Sequence, residues 1–198
     1  GTTASFKSPQ GITTDGTNLY VADSYNHKIR KIVIDNATVT TLAGTGSPGS
    51  TDNTTGTSAS FNEPLGITTD GTNLYVADTK NHLIRQIVIS TRAVTTLAGT
   101  GSSGTTDNTT GTSASFYGPS GITTDGFNLY VADRSSSLIR RIVIATGAVT
   151  TLAGTGSPGD AHDDTGTAAI FKVPTGITSD GIDLYVLDKQ NHLIRKID

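Results

Sequence analysis

The 198-residue chain carries 14 Lys and Arg against 17 Asp and Glu, a net charge of −3, and it has no Cys, Met or Trp. That composition excludes a disulfide framework, a thiolate nucleophile and cysteine-ligated zinc. It also argues against an electrostatic nucleic-acid binder, and no apolar run approaches the roughly 18 residues of a membrane-crossing helix. No nucleic-acid partner and no membrane insertion are therefore expected. The sequence opens on Gly1, which predicts a polypeptide that starts downstream of its gene's first codon.

Internal repetition dominates the chain. The string GITTDG starts at Gly11, Gly66 and Gly121, and its near copy GITSDG starts at Gly176, each 55 residues after the last. Phased from the N-terminus the units are 1–55, 56–110, 111–165 and a truncated 166–198. The first two match at 41 of 55 positions without a gap. One supersecondary unit is thus used four times.

Within the first unit, Gly11–Thr14 is a short β-branched run that ends at Asp15-Gly16, a dipeptide suited to a tight turn because Gly tolerates positive φ. Leu19–Ala22 is an apolar second strand, followed by a polar turn from Asp23 to His27. Lys28–Ile34 is a third strand rich in branched residues, and Val39–Leu42 a fourth. No sustained 3.6-residue period with caps is present, so helix content is expected to be minimal. The long connection from Gly44 to Leu65 is rich in Gly, Ser and Thr. It carries a recurring Phe and Pro: Phe6 and Pro9, Phe61 and Pro64, Phe116 and Pro119, Phe171 and Pro174. The Phe is read as an apolar anchor packed beneath the loop, the Pro as a strand-entry marker.

Each predicted sheet is apolar on both faces, with Leu19 and Val21 on one side and Tyr20 and Ala22 on the other. Such a sheet must be sandwiched between neighbours, which is the radial stacking of β-propeller blades. The fold expected is all-β: a single propeller segment over 1–198, built of four-stranded antiparallel blades on the 55-residue repeat. The ring is incomplete, with three full blades and three strands of a fourth. An open stack would leave residues such as Leu19, Val21, Ile29 and Val33 in water, at a cost of about 6–12 kcal/mol for four large side chains. Self-association or a larger parent chain that completes the ring is expected for that reason.

The segment Leu74-Tyr75-Val76-Ala77-Asp78-Thr79-Lys80-Asn81-His82-Leu83-Ile84-Arg85 resembles the signature of the NHL repeat, and Leu184–Arg195 repeats it with Asn191-His192-Leu193. The first unit has Asn26-His27-Lys28, while the third departs with Ser136-Ser137-Leu138. The resemblance is particularly to the Thr/Gly-rich repeats of bacterial secreted or surface-exposed NHL proteins. It implies a ring of about six blades, an extracellular or cell-surface setting in a bacterium, and an interaction platform rather than an enzyme. Relatives in propeller fold also include metal-dependent lyases and lactonases. A metal-dependent enzyme is therefore one alternative, and a structural subunit of a surface polymer another.

No catalytic constellation is present: there is no G-x-S-x-G elbow, no P-loop and no dinucleotide-binding glycine motif. His27, His82 and His192 recur in the same turn, where an Asn-His pair is expected to cap the hairpin. The pairs Asp23/Arg30, Asp78/Arg85, Asp133/Arg140 and Asp188/Arg195 are expected as scaffold ion pairs, worth only about 0–1 kcal/mol each if exposed. Asp160, His162, Asp163 and Asp164 form the one candidate cluster for a divalent cation such as calcium, although their spacing fits no EF-hand; otherwise no cofactor is expected. The units differ most at Lys7-Ser8 and Gln10 with their counterparts, at the hairpin tip Ser24-Tyr25, and at the outer turn from Asp35 to Thr38. Binding to a protein or glycan partner is accordingly expected on rim loops. The candidate residues are Lys7, Gln10, Ser24, Tyr25, Asn26, His27, Lys80, Asn81, His82, Arg134, Gln190, Asn191 and His192.

Overall fold

A computed structural model describes residues 4–161 and 166–198. The first sheet runs β1 (Pro9–Thr14), β2 (Asn18–Asp23), β3 (Lys28–Val33) and β4 (Val39–Ala43). The second repeats it as β5 (Pro64–Thr69), β6 (Asn73–Asp78), β7 (Leu83–Val88) and β8 (Val94–Ala98). The third contains β9 (Pro119–Thr124), β10 (Asn128–Asp133), β11 (Leu138–Val143) and β12 (Val149–Ala153). The fourth has three strands, β13 (Pro174–Ser179), β14 (Leu184–Asp188) and β15 (Leu193–Ile197). Every sheet is an antiparallel meander in chain order, and the only helices described are single 3₁₀ turns. The sheets stand side by side as propeller blades, with β1 against β5, β5 against β9 and β9 against β13 at the hub.

Local chemistry explains both ends of each blade. At one end, Asp15 accepts the backbone N–H groups of Thr17 and Asn18 and the Tyr20 hydroxyl, while Gly16 takes φ +86°. This is an Asx turn closed by its own strand. At the other end, Ser24–Asn26 makes a 3₁₀ turn capped by His27 in the left-handed region. The hub explains the strand-centre glycine that recurs in each unit. A Cβ on Gly11, Gly66 or Gly121 would run into the backbone carbonyl of Leu65, Ser120 or Thr175 on the next blade. Only glycine permits that backbone approach. At Gly176 the nearest atom is instead the flexible Leu187 side chain.

The core lies between blades. Tyr20, Ala22 and Ile29 of the first pack on Phe61, Leu74, Val76 and Ile87 of the second. Equivalent residues join the second blade to the third and the third to the fourth. No such cluster joins the fourth blade to the first among the described residues, so the blades form an open arc. The uncovered side chains differ from those expected. Ile29 is buried in the first junction and Val21 is 6% exposed, whereas Ile12 (61%) and Ile34 on the first blade and Leu187 (50%) and Ile194 (73%) on the fourth face water. Ile29 shares its face with Tyr20 and Ala22, so the second blade covers it.

The four recurring Asp residues are buried, as are Arg85, Arg140 and Arg195, while Arg30 is partly exposed; this corrects the expectation of exposed pairs. Asp78 and Arg85 are both inaccessible, 2.9 Å apart, and Arg85 also reaches Asp52 at 2.6 Å and the carbonyls of Thr51 and Ser60. Its guanidinium lies 5.1 Å from the centre of the Phe61 ring. Arg140 repeats this with Asp133, Asp107 and Phe116. The Phe is therefore an anchor beneath the connection, as its position in a polar loop suggested. The connection itself reaches across to the next blade, where Asn53 bridges to Val94.

Burial pushes the Asp78 and Asp133 carboxyls up to about 6, against the opposing pull of their hydrogen-bond donors and Arg partners. Asp125 goes the other way: burial raises it, but donors from Asn128, Phe127 and Tyr130 outweigh that and hold it at about 2. Carboxyls raised in the folded state hold protons that the unfolded chain has released, so they add stability as pH falls from 7 through 6 toward 4. A lowered carboxyl gives stability that is present above the usual value near 4 and lost below it. Urea midpoints should accordingly rise from pH 7 to 5 and fall by pH 3, and Asp78→Asn should flatten the first limb. Gly66→Ala should cost about 1–3 kcal/mol by overpacking the hub, whereas Gly176→Ala should leave the melting temperature nearly unchanged; thermal unfolding of the two variants checks this.

Candidate functional site

The hairpin turn and the start of the inner strand come to the same end of every blade. Their relative position is set by the buried aspartate: Asp23 Oδ1 accepts the backbone N–H of Lys7, Asp78 that of Asn62, Asp133 that of Tyr117 and Asp188 that of Lys172. The Asn of the turn serves the same carboxylate, with Asn26 bonding Asp23 and Asn81 bonding Asp78. In the third unit Ser136 substitutes at 2.7 Å from Asp133. The Asn81 amide also donates to the Gly49 carbonyl, and Asn191 to that of Gly159. Asn81 and Asn191 therefore hold the turn and its connection together, while Asn26 ties the first turn to Asp23 alone among the described residues.

The histidines lock blade to blade. His27 Nδ1 accepts the backbone N–H of Glu63 at 3.1 Å, and His82 Nδ1 that of Gly118 at the same distance. Both His residues are structural on this geometry. His82 is also a wall of the site, and its pKa is lowered by burial and by the nearby Lys80 charge. Its ring meets the Tyr117 ring edge-on, 5.8 Å between centres and at 72°.

Two connected hollows lie at this end of the arc. A groove of about 470 Å³ runs over the first three blades and includes Gln10, Ser24, Tyr25, Lys80, His82 and Arg134 from the expected set. An axial cleft of about 770 Å³ continues from it past the inner-strand glycines to the open face of the fourth blade, where it meets Lys189 and His192. Gln10, Leu65 and Arg134 line both. Lys7, Asn26, His27, Asn81, Gln190 and Asn191 line neither. Glu63, Tyr117 and Thr79 are groove residues that were not singled out individually. They are the counterparts, 55 or 110 residues on, of Ser8, Lys7 and Ser24, so the positions were legible and the individual residues were not.

The electrostatics of the groove differ from those of the scaffold. Lys80 and Arg134 are exposed and make no ion pair or side-chain hydrogen bond among the described residues, and Glu63 is the single acidic side chain beside them. Ser24 is wholly buried and its Oγ has no partner among the described residues, whereas the equivalent Thr79 hydroxyl donates to the Pro119 carbonyl. Of the cation cluster, Asp160 is exposed, and His162, Asp163 and Asp164 lie outside the described residues. No group of three or more potential metal ligands is brought together among the described residues.

Residues 61–87 match the family model of the NHL repeat. The chain is 33% identical over 98% of its length to Protein SUPPRESSOR OF QUENCHING 1, chloroplastic, of Arabidopsis thaliana, covering 20% of that protein. About half of it is 44% identical to human NHL repeat-containing protein 2, covering 14% of that protein. The chain thus spans a fifth or less of these relatives. Among solved structures, a structural-genomics protein from Bacteroides thetaiotaomicron superposes with TM-score 0.78 at 22% identity, over 95% of this chain and 46% of that one. An auxiliary nutrient binding protein from Bacteroides ovatus superposes at 0.76 and 21%, over 98% and 49%. The matched signature lies inside a unit that recurs every 55 residues, and each recurrence folds as the same blade. This chain is an open arc of consecutive β-propeller blades, within which residues 61–87 match the NHL repeat.

Proposed function

We propose that the chain is a non-enzymatic binding module of an extracellular or cell-surface protein, and that it reads a protein or glycan partner through the groove. The observation that carries this is the identity of the groove's walls. Gln10, Ser24, Tyr25, Glu63, Lys80, Tyr117 and Arg134 all sit at positions where the units differ, while the identical positions hold the blades together. A rigid frame with dissimilar side chains gathered at one end has the form of a recognition surface. The name of the Bacteroides ovatus neighbour, an auxiliary nutrient binding protein, supports a binding role. Peptide and glycan arrays probed with the parent and with a Lys80→Ala/Tyr117→Ala variant test this reading. The parent's signal should be lost in the variant at unchanged melting temperature; a signal that survives would rule the groove out.

A second reading, assembly, is favoured by the two uncovered apolar faces. The covered junctions show what fits such a face, namely the opposing face of another blade of the same pattern. Each copy presents one face of each kind, so copies can join head to tail or close a ring. Sedimentation should show association that Ile194→Asp abolishes; a monomer at every concentration would exclude a second copy as the occupant.

A further inference from the structure

The groove's side chains narrow the ligand class. Arg134 stands at the junction of groove and cleft, in the turn position that Ser24 and Thr79 occupy on the first and second blades. Every scaffold arginine is bonded to an aspartate or a carbonyl, yet Arg134 is exposed with no such partner among the described residues. A planar guanidinium held free in a hollow is suited to a carboxylate, which it binds through two parallel N–H···O bonds. Lys80 adds a second free cation, against one carboxylate on Glu63. Since His82 is biased to its neutral form, the excess charge of the groove is a single positive one.

The remaining walls suit a polyhydroxyl ring. Tyr117 is 47% exposed and Tyr25 53%, each offering an apolar ring face with a polar tip. Tyr117 is preoriented, since Asp133 holds its backbone N–H at 2.8 Å and its ring makes a T-shaped contact with the His82 ring. The exposed Ser135 supplies a hydroxyl beside the Tyr117 ring. The volume, about 470 Å³, falls within the range of small-ligand sites, about 300–1,000 Å³. A nucleic-acid strand is a poorer match. Its affinity comes from a row of cations along many phosphates and from successive stacking platforms, whereas this groove has two free cations and a carboxylate.

We propose that the groove binds an acidic saccharide of the uronic-acid class, with the sugar carboxylate on Arg134 and Lys80 and a ring face on Tyr117. This rests on the groove being the recognition surface, and it adds the charge and chemistry of what is recognised.

Calorimetric titration of the full chain with trigalacturonate, with its methyl ester and with a short oligouridylate separates the possibilities. The acid should bind at least about tenfold more tightly than the ester, the loss expected for one charge-assisted contact. Arg134→Gln should bring the acid down to the level of the ester, Tyr117→Ala should weaken both, and Glu63→Gln should strengthen the acid severalfold. Unchanged melting temperatures establish that the variants are folded. Equal binding of acid and ester that still depends on Tyr117 would overturn the acidic class while leaving the groove reading intact. Tighter binding of the oligouridylate would overturn it in favour of a polyanionic strand. If no probe moves the Tyr117 and His82 ring resonances, an acidic saccharide is excluded, and the array result alone decides the groove.

Discussion

The buried Asp–Arg pair is the contact from which the rest of each blade is organised. The aspartate closes the second strand and takes three kinds of donor at once: the arginine of the third strand, the turn Asn or Ser, and the backbone N–H just after the anchoring Phe. The arginine completes the arrangement by reaching two carbonyls of the incoming connection and lying over the Phe ring. Removing two charges from water costs several kcal/mol per ion unless their hydrogen bonds are met. Here most of them are met by the very segments whose positions must be set. The pair is best understood as a device for placing the hairpin, the connection and the inner strand relative to one another.

Placement matters because the groove hangs from those three segments. Tyr117 follows directly from the N–H that Asp133 holds, and Lys80 and Arg134 sit on turns whose stems the same aspartates tie down. The histidines add the lateral constraint, since His27 and His82 each accept an N–H from the following blade. Side chains from three blades therefore face a common hollow without any of them belonging to the apolar core.

Strand order, the turns at Asp15-Gly16 and the stacking of two-faced sheets were legible in the sequence, because alternation and turn chemistry act over a few residues. The burial of Arg85 was not. It depends on Asp52, 33 residues earlier, folding over from the connection, and no local pattern signals that return. The groove was half legible. Differences between units marked Gln10, Tyr25 and Lys80, but whether they meet is decided by the angle between blades, which the repeat length does not encode. The uncovered face of the first blade was misjudged at Ile29 for a related reason: apolar character identifies both faces of a strand, and only the direction of the arc tells which one has a neighbour.

The backbone-to-backbone hub, with Gly66 against the Ser120 carbonyl and its equivalents on either side, asks nothing of the side chains that lead into it. Leu65, Ser120 and Thr175 can differ while the glycines after them do not. Shuffling whole units would thus permute the chemistry at the mouth of the cleft and leave each seam as it was. The succession of modules along the polypeptide, more than any one substitution, becomes the quantity on which selection for a new ligand can act.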